Sequence, residues 1–111
     1  MAKKPSNYIG EFEELVLLAI VNQGDNAYGV TIHEALEEAT NRSITIGSLY
    51  TTLSRLEEKG LVQSWVGEST PERGGRAKRH YKLKGSAQSL LREVQLARSR
   101  LSGTQLVGGV A

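Results

Sequence analysis

The spacing of apolar residues changes twice along this chain, from helical to alternating near Gly60 and back to helical near Ser86. Few folds accommodate that order. Before Gly60 three segments carry a helical period. The first runs from about Glu11 to Asn22, with Phe12, Leu15, Val16 and Ala19 at i, i+3, i+4 and i+7. Leu17, Leu18, Ile20 and Val21 make its remaining sides apolar too, the pattern of a helix buried on more than one side. Glu11, Glu13 and Glu14 in its first turn suit the positive end of the helix dipole. After the turn-forming "QGDN", a second helix is predicted from Tyr28 to Ala39. It places Tyr28, Ile32, Ala35, Leu36 and Ala39 inward and Thr31, Glu34, Glu37 and Glu38 toward water.

Ser43 to Thr45 reads as a short extended piece, and Thr45 is a suitable N-cap for the third helix, "GSLYTTLSRLEEKGLV". Leu49, Leu53 and Leu56 form its apolar stripe, and Gly60 stops it. "LVQSWV" and "AKRHYKL" then read as two strands, with Tyr81 and Leu83 on one face and Lys78, His80 and Lys82 on the other. The loop "GESTPERGGR" joins them. A fourth helix is predicted from Ser86 to Ser102, with Ser86 as a candidate cap. It repeats Ala87, Leu90, Val94, Ala97 and Leu101 in a heptad-like stripe, with Leu91 beside it. The expected fold is mainly α with a small β-hairpin: a winged helix-turn-helix followed by a C-terminal dimerisation helix. The expected boundaries are a flexible segment at 1–10, the winged unit at 11–85, the dimerisation helix at 86–102 and a flexible tail at 103–111.

Composition narrows the function classes. With one Phe, one Trp and four Tyr in 111 residues, the core is aliphatic and modest, so pairing with a second copy is expected. The absence of Cys excludes a disulfide framework, thiolate metal ligands and a Cys nucleophile. The start "MAKKPSNYIG" lacks a secretory h-region, and the longest apolar run, Leu15 to Val21, is too short for a membrane span. A soluble, cytoplasmic protein without a membrane partner is expected. The net charge of +2 conceals a polarity. Residues 1–41 hold seven acids and two bases, whereas residues 42–111 hold five acids and twelve bases. This asymmetry fits a polyanionic partner as well as it fits a solvated, charge-mixed surface.

The third helix separates those readings. Its polar side opens with Ser48, Tyr50, Thr51, Ser54 and Arg55, and no acid appears before Glu57. In a winged helix-turn-helix this end enters the major groove, where a carboxylate would be repelled. Hydroxyls can bond phosphates or base edges there, and Arg can pair with guanine. From Arg73 to Arg92 there are seven bases and no acid, with Arg73, Arg76, Lys78 and Arg79 on or beside the glycine-containing hairpin. Bases in a wing can follow the sugar-phosphate backbone or reach a minor groove. Tyr50 has two readings, a phosphate contact or a residue at the edge of the core. Trp65 likewise fits packing or stacking.

The stretches "LVLLAIVNQGDNAYGV", "SITIGSLYTTLSRLEEKGLVQSW" and "GGRAKRHYKLKGSA" resemble the PadR family of winged-helix transcriptional regulators. The resemblance covers roughly Glu11 to Leu101 and is most specific in the "GSLYTTLSRLEEKGLV" block and the "RHYKL" strand. It implies a homodimeric DNA-binding regulator, usually a repressor, with the last helix of each copy against the first helix of the other. A two-fold dimer of that kind would read a roughly palindromic operator in double-stranded DNA. The interface so implied comprises Phe12, Leu15, Leu90, Leu91, Val94 and Leu101. The short C-terminus is similar to the branch with one dimerisation helix. A small-molecule effector is compatible with the resemblance, but its identity is open. The last helix lacks the aromatic side chain with which relatives stack flat drugs, since the only Trp is Trp65.

Other chemistries find little support. His33 and His80 are isolated and have no ligand-like spacing, so neither a metal nor any other cofactor is expected. Gly74 and Gly75 precede no helix, which disfavours a phosphate-cradling loop. No Ser, His and carboxylate grouping suggests a hydrolase, and an enzyme is not expected. The alternative to a DNA-binding regulator is a winged-helix module that binds an acidic protein through its basic wing.

Overall fold

The structure is a computed structural model and describes residues 9–67 and 77–103. The element order is α1 (Glu11–Gln23), a 3-10 turn (Gly24–Asn26), α2 (Gly29–Thr40), α3 (Ile46–Glu58), β1 (Val62–Val66), β2 (Arg79–Leu83) and α4 (Gly85–Ser102). It is mainly helical with one antiparallel hairpin, a winged helix arrangement as the sequence predicts. The flexible ends expected at 1–10 and 103–111 lie largely outside the described residues, as do Arg73 and Arg76. Among the described residues no helix is long and apolar enough to cross a membrane.

The core forms where the three N-terminal helices meet the hairpin. Val16 and Leu17 of α1, Ile32 and Leu36 of α2, and Leu49, Leu53 and Leu56 of α3 are fully buried. Val62 of β1 and Tyr81 and Leu83 of β2 close the cluster from the sheet side. Val62 pairs with Leu83 and Ser64 with Tyr81, so these residues share the face turned inward. Thr52, one turn after Leu49, is buried as well and widens the α3 stripe.

Ends and connections explain the differences from the sequence expectation. Helix α2 begins one residue late, because the Tyr28 N–H donates to Thr31 Oγ1 at 3.1 Å and Tyr28 becomes the N-cap. Thr31 therefore serves the helix start, where its hydroxyl also donates to the Asn26 carbonyl, instead of simply facing water. Ala39 is exposed, not inward, since the inward face of α2 ends at Leu36. Asn41 then takes the left-handed conformation at φ 56° and ends the helix. The link to α3 is held from α2: the Ile44 N–H donates to Glu37 Oε2 at 2.8 Å, and the Ile44 carbonyl lies 2.6 Å from His33 Nε2.

Helix α4 starts at Gly85 with Lys84 at the cap position, so Ser86 is not the cap. Its hydroxyl donates instead to the Gly60 carbonyl at 2.9 Å and ties the helix to the end of α3. Within α4, Ala87 and Leu91 are buried against the winged unit, and Leu90 packs beside them. Leu91, expected at a dimer seam, thus belongs to its own chain's core. Val94 is half-buried, and from Gln95 to Leu101 every residue is exposed.

Two glutamates of α1 reach across the fold. Glu13 accepts the Gly10 N–H at 3.0 Å and receives Lys59 Nζ on both oxygens at 3.0 Å. Burial by itself would raise this carboxyl's pKa, but the Lys59 ammonium and the Gly10 N–H outweigh it and hold the pKa below its ordinary value. Glu14, also buried, receives Arg98 of α4 at 2.7 Å. The pair at the first turn thus anchors the end of α3 and the distal half of α4, beyond complementing the helix dipole.

Candidate nucleic-acid interface

Helix α3 owes its position to defined chemistry at both ends. Thr45 is its N-cap: Thr45 Oγ1 accepts the Ser48 N–H at 3.1 Å, as the sequence predicts. At the other end Gly60 adopts φ +77°, its N–H donates to Glu57 and the Leu61 N–H donates to Leu56. These are the two bonds of a Schellman ending, and the positive φ accounts for Gly at this place. With its stripe buried and both ends fixed, α3 presents the opposite face to solvent in one orientation.

That face carries Ser48, Tyr50, Thr51, Ser54 and Arg55, all exposed. Ser48 also bonds the Thr45 carbonyl through its own hydroxyl, at 3.1 Å. Thr51 and Ser54 follow along the face, one turn apart, with Arg55 beside Ser54. Tyr50 is 44% exposed, and its hydroxyl end lies against Gly29 at the start of α2. Ile46, the first residue of the helix, is also exposed and adds an apolar group at the leading end. Sequence reasoning missed it, although its place directly after the N-cap was the available signal.

The hairpin brings its bases beside this face. Val66 pairs with Arg79, which places Arg79 on the same side of the sheet as Tyr81 and Leu83, the side toward α3. Arg79 Nη1 donates to Ser64 Oγ at 2.9 Å, and Ser64 Oγ donates to Glu57 Oε2 at 2.9 Å. The first acid of the helix is therefore engaged by the wing strand. Lys78 lies on the other side, its Nζ 4.3 Å from the centre of the Tyr28 ring, a cation–π arrangement. Trp65 stacks on His80 with ring centres 5.7 Å apart, and His80 meets the Tyr28 ring edge-on at 5.5 Å. Both readings of Trp65 keep a place: one ring face packs on His80, while much of the indole stays exposed. Burial above all, with a smaller contribution from the Tyr50 phenol, pushes the Tyr81 phenol pKa above its ordinary value. The structure thus places Ser48, Tyr50, Thr51, Ser54 and Arg55 on one face of α3, with Arg79 linked to the end of that helix through Ser64, whereas Lys78 lies on the other side of the hairpin against Tyr28. Arg73 and Arg76 lie outside the described residues. Among the described residues no group of three or more His, Cys, Asp or Glu could hold a metal ion.

The profile of the transcriptional regulator PadR-like family matches residues 17–93, from the middle of α1 into α4. The chain belongs to this family. A PadR-like transcription factor from Bacteroides fragilis is 28% identical, at TM-score 0.66 over 90% of this chain and 89% of its own. A PadR-like transcriptional regulator from Bacillus cereus is 20% identical, at TM-score 0.70 over 88% and 92% of the two chains, a likeness of fold. A PadR family regulator from Clostridium difficile is 24% identical, at TM-score 0.64 over 90% and 99%. No curated protein matched the sequence. The chain is accordingly a PadR-like transcriptional regulator in family and in fold, with the α3 face and the hairpin as its candidate site.

Proposed function

We propose that this PadR-like protein binds duplex DNA sequence-specifically as a homodimer and represses transcription. The observation that carries the reading is the exposed α3 face, free of carboxylates from Ile46 to Leu56, beside a wing strand that engages Glu57 through Ser64. Helix α3 enters the major groove by its N-terminal half. Ser48, Thr51 and Ser54 supply hydroxyls, Arg55 supplies a guanidinium for phosphate or guanine, and Ile46 offers an apolar contact for a thymine methyl. The wing supplies affinity through Lys78, Arg79, Arg73 and Arg76 along the backbone.

The dimer reading rests on α4. Leu96 and Leu101 remain exposed after the winged unit has closed, Leu101 at 87%, while Leu90 and Val94 are only half covered. Along α1, Val21 is 57% exposed, and Phe12, Leu15 and Leu18 are only partly buried. In the proposed assembly the distal half of α4 from each copy covers α1 of the other, through Phe12, Leu15, Leu90, Val94 and Leu101. Leu91 supports the helix from inside its own domain. The winged unit at 11–85 then serves as the DNA-binding domain, and the helix begun at Gly85 joins the two copies.

A salt titration tests DNA binding. Affinity for a preferred duplex should fall with a log-log slope of about −0.9 per neutralised phosphate. Replacing Arg76, Lys78 and Arg79 together by Ala should weaken preferred and random duplexes alike and flatten that slope. Replacing Arg55 should instead narrow the gap between them by about 1–3 kcal/mol. Binding to an acidic protein in the absence of any duplex preference would point to the protein-interaction module instead.

A further inference from the structure

Three elements of the candidate interface meet at one glycine. Gly29 is the first residue of α2 and is buried. The residues just before it join the edge of the wing: the Tyr81 N–H donates to the Ala27 carbonyl at 2.9 Å, and Tyr28 forms a β-bridge with His80. Tyr50 of α3 is the third participant. A Cβ at Gly29 would lie 2.0 Å from the Tyr50 hydroxyl oxygen and 2.9 Å from its Cζ. Real Cβ atoms keep at least about 3.4 Å from their neighbours in ordinary contact. The phenol therefore occupies the space that any other residue at position 29 would claim.

We propose that Gly29 is a positioning residue that seats Tyr50, and that this contact sets the angle of the recognition helix relative to the wing. This rests on the DNA-binding reading above. The reason lies in what the contact joins. Helix α3 must reach base edges while the hairpin follows the backbone, so the two must be held in one fixed relation to read a site. The core beneath α3 is aliphatic, and aliphatic cores tolerate small tilts better than a rigid aromatic ring lodged against a backbone. Tyr50 is the exposed residue of α3 that spans from its own helix to the segment paired with β2. It therefore acts through placement more than through a hydrogen bond to DNA.

A purely structural role predicts lost stability with unchanged discrimination between duplexes. Gly29 is not held at positive φ, so the backbone itself accepts Ala and the obstacle is the Tyr50 ring alone. The experiment is a double-mutant cycle on the full chain, reading thermal midpoint and affinity for a selected duplex. Gly29→Ala is expected to lose about tenfold or more in affinity for the preferred duplex, the scale of one lost base contact, beyond any change in the thermal midpoint. Affinity for random DNA should fall much less, because phosphate contacts tolerate small shifts in register. In a Tyr50→Phe background the oxygen at 2.0 Å is gone and only the Cζ contact at 2.9 Å remains, so the same Gly29→Ala change should cost clearly less. In a Tyr50→Ala background it should cost nothing further.

Equal loss in all three backgrounds would overturn the proposal, and so would unchanged discrimination by Gly29→Ala. If Gly29→Ala failed to fold, rescue of folding by Tyr50→Phe would support the steric contact, and failure to rescue would overturn it. A parent protein with no duplex preference would contradict the regulator reading itself. A parent with clear preference that Gly29→Ala leaves intact would contradict the positioning role alone.

Discussion

Helices α3 and α4 are both amphipathic, but they satisfy their apolar stripes in different ways. Helix α3 buries Leu49, Leu53 and Leu56 completely inside its own domain. Helix α4 buries only Ala87 and Leu91 near its start and leaves Leu96 and Leu101 in solvent. The contrast shows that a stripe read from sequence states that a face needs covering, not what covers it. For α3 the cover is the chain itself, which frees the opposite face for a ligand. In the distal half of α4 the Arg98–Glu14 ion pair ties the helix to α1, while among the described residues every side chain from Gln95 to Leu101 is exposed.

The largest effect is expected where the comparison is sharpest. Leu90→Asp together with Val94→Asp places charges in the α4 stripe, where a dimer would bury them at high cost. Sedimentation should then show a monomer, folded or unfolded, without affinity for the preferred duplex. A double variant that stays dimeric and binds DNA as before would remove α4 from the interface. Next, Leu53→Ala creates a cavity in the α3 core and should cost about 2–5 kcal/mol in denaturant unfolding. Leu101→Ala removes an exposed side chain, so its cost should appear mainly at low protein concentration, where an obligate dimer is sensitive to dissociation. Similar effects of the two changes at every concentration would erase the distinction between the helices.

A smaller effect concerns the brace from α1 to the end of α3. The folded-state pKa of Glu13 is lowered from its ordinary 4.5, so the carboxylate contributes stability that is fully present above that value and is lost as pH falls through the folded-state pKa. Glu13→Gln should reduce stability by about 1 kcal/mol near neutral pH, discounted for the half-exposed Lys59 partner, and the gap to the parent should close as pH falls below 4.5. A gap that persists unchanged in acid would assign the loss to packing and not to the Lys59 pair.

Local features of this fold could be read before its structure. The Leu49, Leu53 and Leu56 stripe, the Thr45 cap, the stop at Gly60 and the shared face of Tyr81 and Leu83 all depend on neighbours within a turn or on strict alternation. The distant contacts could not. Glu13 meets Lys59 across 46 positions and Glu14 meets Arg98 across 84, so no periodicity signals either pair. Within α1 both glutamates look only like favourable charges at a helix start. Ser86 misled for a related reason: a hydroxyl near a helix start suits a cap, but the Gly60 carbonyl, 26 positions away, takes it. In the candidate interface the exposed polar face of α3 was legible. Its closure by the wing, through Arg79, Ser64 and Glu57, depends on strand register that sequence leaves open.

The central claim is that unmatched apolar surface on α4 pairs two copies so that two α3 helices read one DNA site. Selection of duplexes from a random library by the purified protein tests it most directly. The account predicts enrichment of an inverted repeat whose half-sites are centred about 34–36 Å apart, one helical turn or a multiple of it. Enrichment of a single unpaired half-site, or of no sequence at all, would contradict it.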